Sequence, residues 1–342
     1  KNDRSKQFIY YLGETSSHQL GYHSKMIFPA TRLFTVFCLL AVFAASCFAF
    51  QVPNAKLINA ATKAEVSLEN IIKDSTKKMV VYGTYASDFN AVEYIQRLRH
   101  YLPELKEQGI QKQYLILNAS PEASLKVTSD LGLPAEVTVL CDEFGEAGRS
   151  FGCARGWRPD DKEMSPYVKL FGMLWGLGAW ATLPSVLGGY LGNPWAAAPW
   201  VETALAQGQA AGRWPGTALV LGAGGEVVEN RFAALPGVGG WGRRPLELAT
   251  LRLQNMVGLS LKDWEALKPS DAALAAGVLT QLGGCAVYGP GGEERYAWRD
   301  AGICHVARFE DLLETLQRKR AQRALADGTL AAEEVETYTW PF

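Results

Sequence analysis

The sequence contains no CxxC pair, and none of its cysteines stands with a histidine at a spacing that holds zinc. Of its six cysteines, Cys38 and Cys47 fall in an N-terminal apolar segment, while Cys141, Cys153, Cys285 and Cys304 are widely separated. A disulfide-built scaffold and a metal site are therefore not expected, and nothing asks for a cofactor. Charge of one sign is lacking too. The 34 Lys and Arg against 35 Asp and Glu leave a formal net charge of −1, so no basic field points to nucleic acid. At 48% hydrophobic and 20% charged, the 342 residues have the composition of a globular protein, with one large domain or two small ones.

Missing charges also mark the N-terminus. Residues 1–25 are polar and hold no methionine before Met26, so they read as a leader, with the protein proper beginning at Met26. Leu33–Phe50 is eighteen residues without a charge, follows Arg32, and contains the small residues Ala44-Ala45-Ser46-Cys47. That is the pattern of a cleaved secretory signal peptide over residues 26–47. An uncleaved anchor is the alternative, since such a run can just span a bilayer. No acidic residue occurs between Met26 and Glu65, whereas Lys56 and Lys63 do, so residues 48–75 read as a transit-like segment. Phe48 at the expected cleavage point resembles the bipartite plastid presequence of algae with secondary plastids. Plastid delivery is the expectation, and secretion is the alternative.

Beyond this the chain alternates strand and helix signals. Met79–Tyr82 is a short apolar, β-branched run before Gly83 and reads as a buried strand. Ser87 or Asp88 can cap the helix that follows, whose stripe is Phe89, Val92, Ile95, Leu98, Leu102 and Leu105, with Gly109 as its stop. Tyr114–Leu117 is a second strand, Pro121–Leu131 a helix, Val137–Leu140 a third strand and Glu143–Phe151 a short helix. Cys285–Tyr288 and Arg295–Trp298 flank Gly289-Pro290-Gly291-Gly292 and read as a hairpin, followed by a helix over Arg308–Arg320. Strands joined through helices imply parallel pairing, hence an α/β sheet. The expected fold is thioredoxin-like, a mixed central sheet flanked by helices over residues 77–320. A long insertion, about 155–275, precedes the final hairpin, and residues 321–342 form a polar tail.

Four stretches carry a family resemblance: Val137–Gly152 (VTVLCDEFGEAGRSFG), Gly188–Asn193 (GGYLGN), Arg244–Met256 (RPLELATLRLQNM) and Leu279–Ile303 (LTQLGGCAVYGPGGEERYAWRDAGI). Through them the chain resembles the cyanobacterial and plastid branch of the peroxiredoxin-like AhpC/TSA antioxidant proteins. The resemblance implies a thioredoxin-like fold from about Val80 to Leu316. It also implies that redox cysteines, where present, lie in the loop after the first strand, at the N-terminus of the helix that lowers their pKa.

Here that loop reads Thr84-Tyr85-Ala86-Ser87-Asp88-Phe89-Asn90, with Ser87 and Asn90 about where the cysteines would stand. A serine supplies no thiolate, and Asp88 adds charge of the wrong sign, so this is a degenerate site. Three other cysteines are redox candidates. Cys304 adjoins His305, which could activate it if the side chains met. Cys153 precedes Arg155 and Arg158, which could lower its pKa. Cys141 ends Pro134-Ala-Glu-Val-Thr138-Val-Leu-Cys141, which fits the peroxiredoxin pattern PxxxTxxC but lies in a strand signal rather than on a loop entering a helix. Cys285, in an apolar strand, is expected in the core.

The insertion has its own absence: Leu170–Val201 holds no charge, yet carries Trp175, Trp180, Trp195 and Trp200. Prolines and glycines interrupt it, which argues against a continuous membrane helix. It reads as packing on the domain's own sheet, or as a contact with a protein or the thylakoid surface, where tryptophan is enriched. Ala218–Leu221 and Val227–Arg231 suggest a further hairpin around Gly222-Ala223-Gly224-Gly225. Gly237–Arg244 reads as a solvated cationic loop in which Arg243 and Arg244 could meet an anion. Together these features lead to a redox-degenerate plastid protein that works by binding. A thiol-dependent antioxidant oxidoreductase with a relocated cysteine is the alternative.

Overall fold

The computed structural model describes residues 52–191, 197–214 and 216–326. The sheet starts earlier than the sequence reading places it. Strands β1 (Lys56–Asn59) and β2 (Glu65–Ser67) form an antiparallel hairpin, and helix α1 (Leu68–Lys73) follows, capped by the Ser67 hydroxyl. The transit-like reading of residues 48–75 thus overlaps folded structure from Lys56 onward. Its short strands carry polar and β-branched residues in mixture, which hides their pairing in the sequence. The leader reading of residues 1–25 and the signal-peptide reading of residues 26–47 lie outside the described residues.

Strand β3 (Lys78–Tyr82) is buried throughout because helices cover both faces of the sheet, which is why it reads as a continuous apolar run. Helix α2 (Phe89–Glu107), strand β4 (Lys112–Leu117), helix α3 (Pro121–Asp130) and strand β5 (Val137–Cys141) follow, and β3, β4 and β5 pair in parallel. Helix α4 (Glu146–Phe151) is shorter than expected: Gly145, at φ 73°, holds the chain in the left-handed region just before it. The insertion then supplies α5 (Pro166–Leu174), α6 (Thr182–Leu191), α7 (Trp200–Ala210), the small antiparallel hairpin of β6 (Leu219–Leu221) and β7 (Val227–Asn230), and α8 (Arg244–Asn255). Strands β8 (Gly284–Tyr288) and β9 (Glu294–Arg299) make the later hairpin, and α9 (Phe309–Ala326) closes the described chain. The main sheet runs β2-β1-β5-β4-β3-β8-β9. This is a mixed α/β architecture, with a central sheet of parallel and antiparallel strands between helices.

Alternation along the strands sorts the core into two layers. Met79, Val81, Leu115, Leu117, Cys285 and Val287 pack with α2 and α9. Val80, Tyr82, Ile116, Ala286 and Tyr288 pack on the other side with Leu57, Leu68, Ile72 and Phe151. The buried Lys78 ammonium joins α1 to this sheet, donating to the carbonyls of Ile72 (2.9 Å) and Asp74 (2.6 Å). These carbonyls at the end of a short helix would otherwise lack partners.

The insertion is not an appendage. Trp200, Val201, Ala204 and Leu205 of α7 and Leu251 of α8 enter the same core layer as the α2 stripe. As a result α2 buries polar residues as well as its apolar face. Gln96 and Asn255 exchange amide hydrogen bonds of 3.1 and 3.2 Å, and Glu93 pairs with Arg252. Arg243 and Arg244 are likewise engaged by Glu202 and Glu247 rather than lying in a solvated loop. No helix among the described residues is long and apolar enough to cross a membrane.

Leu57 is fully buried on β1. Leu57→Ala is expected to lower stability by about 2–5 kcal/mol, the usual cost of such a cavity. Urea unfolding measures this, and a loss well under 1 kcal/mol would show that the N-terminal hairpin is not part of the cooperative unit.

Candidate functional site

The α2 N-terminus, where the resemblance places redox chemistry, ends inside the protein. Asp88 is its cap: the carboxylate accepts from the Asn90 backbone N–H at 3.2 Å and from the Thr84 hydroxyl at 2.6 Å. Burial pushes the Asp88 carboxyl up to about 6 against the pull of these donors. Ser87 is buried, its hydroxyl has no hydrogen-bond partner, and its carbonyl accepts from Ser260 at 2.7 Å.

Asn90 has no exposed surface and ties three segments together. Its amide nitrogen donates to Asp300 Oδ2 at 2.7 Å and to the Gly302 carbonyl at 3.2 Å, and its oxygen accepts from the Cys304 backbone N–H at 2.7 Å. Asp300 is the centre of the cluster. Its other oxygen accepts from Tyr94 Oη at 2.7 Å and Trp298 Nε1 at 3.1 Å. Burial pushes this carboxyl up to about 7, although all three donors favour its charged form.

The loop after β9 is shaped to meet α2. Cys304 adopts φ 64°, a left-handed conformation costing a non-glycine residue about 1–2 kcal/mol. Asn90 holds its amide, and Thr182 Oγ1 accepts from Ile303 N at 3.0 Å. Gly302 makes the approach feasible, since a Cβ there would lie 2.3 Å from Thr182 N.

The structure thus brings together two of the sequence candidates, Asn90 and Cys304. All four described cysteines are buried and free. Burial pushes the Cys304 thiol up to about 12 and those of Cys141, Cys153 and Cys285 upward as well. The His305 Nδ1 accepts from the Ala301 N–H at 3.1 Å, and its ring packs on Trp298 at 4.9 Å between centroids. Arg155 and Arg158, which by sequence could lower the Cys153 pKa, pair with Asp160 and Asp161. Their charge is answered there, and desolvation dominates at the thiol. Thr138 sits in the sheet opposite Tyr114, and the Cys141 thiol donates to Ser124 Oγ at 3.3 Å, so PxxxTxxC lies on a strand.

The members that sequence reasoning missed, Asp300, Tyr94, Trp298 and Thr182, carry no local pattern. Only the polar Asn90 at a helix start, just beyond an apolar strand, hinted that a buried acceptor was needed. No protein-family model and no curated protein matches the chain.

Because Asp300 and Asp88 titrate higher in the folded than in the unfolded chain, the folded state binds more protons from about pH 4 to about pH 7. Stability is therefore expected to fall as pH rises through that window, by at least about 1 kcal/mol, and to level off above it. Chemical unfolding across pH 4.5–8 reads this. Asp300→Asn should flatten the upper part of the curve, while a wild-type stability that climbs from pH 5 to 7 would contradict the assignment.

Proposed function

We propose that this is a redox-degenerate, thioredoxin-like protein of the peroxiredoxin-like type that works by binding rather than by thiol chemistry. The strand order β5-β4-β3-β8-β9, with α2 following β3 and α9 following β9, supports the thioredoxin-like reading. The observation that carries the functional reading is at the α2 N-terminus. A carboxylate caps it, a buried asparagine occupies its first turn, and the Cys304 thiol beside it is desolvated. A thiol nucleophile needs the thiolate, and burial in this cluster opposes it.

A binding role needs a surface, and the insertion supplies one. Phe171, Trp175, Leu177, Trp180 and Leu187 are all exposed, with Trp175 at 65% and Trp180 at 73%, in a stretch with no charged side chain to repel an apolar partner. Burial within the protein accounts for Met173, Ala179, Ala181 and Trp200 but not for these. Trp195 lies outside the described residues. Tryptophan prefers the membrane–water interface, so we assign this face to contact with a membrane surface, which in the plastid reading is the thylakoid. The N-terminal signals support plastid delivery. Since the sheet begins at β1, processing that preserves it falls before Lys56.

One observation favours a second reading. The Cys304 amide is bonded to Asn90, which places the thiol beside the degenerate site, so a thiol oxidoreductase with a relocated cysteine is the alternative.

Peroxide and disulfide reduction by the protein and by Cys304→Ser decides between them. No turnover in either is expected, with native thiols that react with a disulfide reagent only on unfolding. Turnover lost in Cys304→Ser would establish the oxidoreductase. Co-sedimentation with vesicles of mixed neutral and anionic lipid tests the surface: Trp175→Asp with Trp180→Asp should reduce it at least fivefold. Absent wild-type binding would turn the search toward a protein partner.

A further inference from the structure

The short turn between α5 and α6 carries Trp175, Leu177 and Trp180 on its solvent side, next to Phe171, whose ring lies 6.4 Å from that of Trp175. Its underside is fastened to the protein. Met173 and Ala179 pack with Leu282 and Ile303, and the Ala181 N–H donates to the Ala301 carbonyl at 3.1 Å. Trp157 sits beneath, so close that a Cβ at Gly178 would stand 2.6 Å from the Trp157 backbone. The turn therefore meets a partner already shaped, with little chain entropy left to lose.

Two properties decide what it can meet. The backbone N–H groups of Trp175, Gly176, Leu177 and Ala179 all donate to carbonyls of the turn and the end of α5, so they ask nothing of the surroundings. That is the condition for backbone to enter an apolar medium. The side chains of Leu170–Ala181 offer no oxygen acceptor and no charge, and their N–H donors are the indoles of Trp175 and Trp180. A protein interface carries a polar rim and about one hydrogen bond per 100–200 Å², for which this turn has little to give. An indole at a lipid boundary needs only its ring in apolar surroundings and its N–H at an oxygen.

Charge on either side is answered within the protein. Arg155 and Arg158, ahead of α5, pair with Asp160 and Asp161, and the buried Lys169 donates to the Asp161 carbonyl. Glu202, which follows the uncharged stretch, pairs with Arg243. The His305 ring lies 6.3 Å from that of Trp180, and burial holds its imidazole below the ordinary pKa, so it is neutral near pH 7. Proteins drawn to anionic membranes present clustered lysines and arginines, and Leu170–Val201 has none.

We propose that this turn inserts among lipids of no net headgroup charge, and that anionic lipid adds nothing to the contact. The inference rests on the reading of this face as a membrane contact and names the lipid class it takes.

Tryptophan quenching in the full chain by phosphatidylcholine vesicles brominated on the acyl chains tests it. No tryptophan precedes Trp157, so the N-terminal apolar run adds no signal. Quenching is expected with phosphatidylcholine alone. It should change less than about twofold when about one third of the lipid is phosphatidylglycerol, or when salt is raised to about 0.5 M. Trp175→Phe with Trp180→Phe should remove most of it. Quenching that grows more than about twofold with phosphatidylglycerol at low salt would overturn the neutral-lipid inference and leave the membrane contact standing. No quenching with either lipid would overturn both, and quenching undiminished in the double variant would overturn the assignment to this turn.

Discussion

The hydrogen bonds that Asn90 makes to Asp300, Gly302 and Cys304 are the constraint on which the site depends. A helix that begins inside a protein must find partners for its polar first turn. Here the partners come from the loop after β9, more than two hundred residues along the chain. Meeting them forces Cys304 into a left-handed conformation, demands glycine at 302, and buries a carboxyl among three donors. The same burial that makes this cluster a structural joint pushes the Cys304 thiol up to about 12.

The insertion extends the same logic outward. By laying α7 and α8 over α2, it converts an ordinary amphipathic helix into one buried on two sides. The polar residues on its second side then have to be satisfied by residues of the insertion. Gln96 with Asn255 is a neutral, reciprocal answer. Glu93 with Arg97 and Arg252 is an ionic one. Meanwhile the helices at the insertion's outer edge leave Trp175 and Trp180 in solvent. One segment thus supplies core and exposed apolar face.

Much of the sheet was legible in order along the chain. The apolar runs at Met79–Tyr82, Tyr114–Leu117 and Val137–Leu140 and the glycine-rich turn at 289–292 each fall within or beside a strand, because burial on both faces leaves a continuous signal. The Ala218–Arg231 hairpin and the α2 stripe were equally readable. What escaped was short and mixed, as in β1, β2 and α1. Polar side chains on α2 that look solvent-facing by periodicity are buried because another part of the chain covers them. For the site, the absence of cysteine between Thr84 and Asn90 was visible at once. The roles of Asp300, Tyr94 and Thr182 were not, since no local pattern joins them.

By itself, then, the sequence determined which chemistry the α2 N-terminus lacks, that strands and helices alternate, and that an uncharged tryptophan-rich stretch interrupts them. These are properties of residue type and short-range periodicity. Only the tertiary structure decided that Cys304 rather than Cys141 or Cys153 lies against Asn90, that His305 turns its Nδ1 to the backbone instead of the thiol, and which tryptophans stay in solvent. It also decided that two arginines share one glutamate. Each depends on distances between residues far apart in the chain, and on desolvation, which burial creates and composition cannot report.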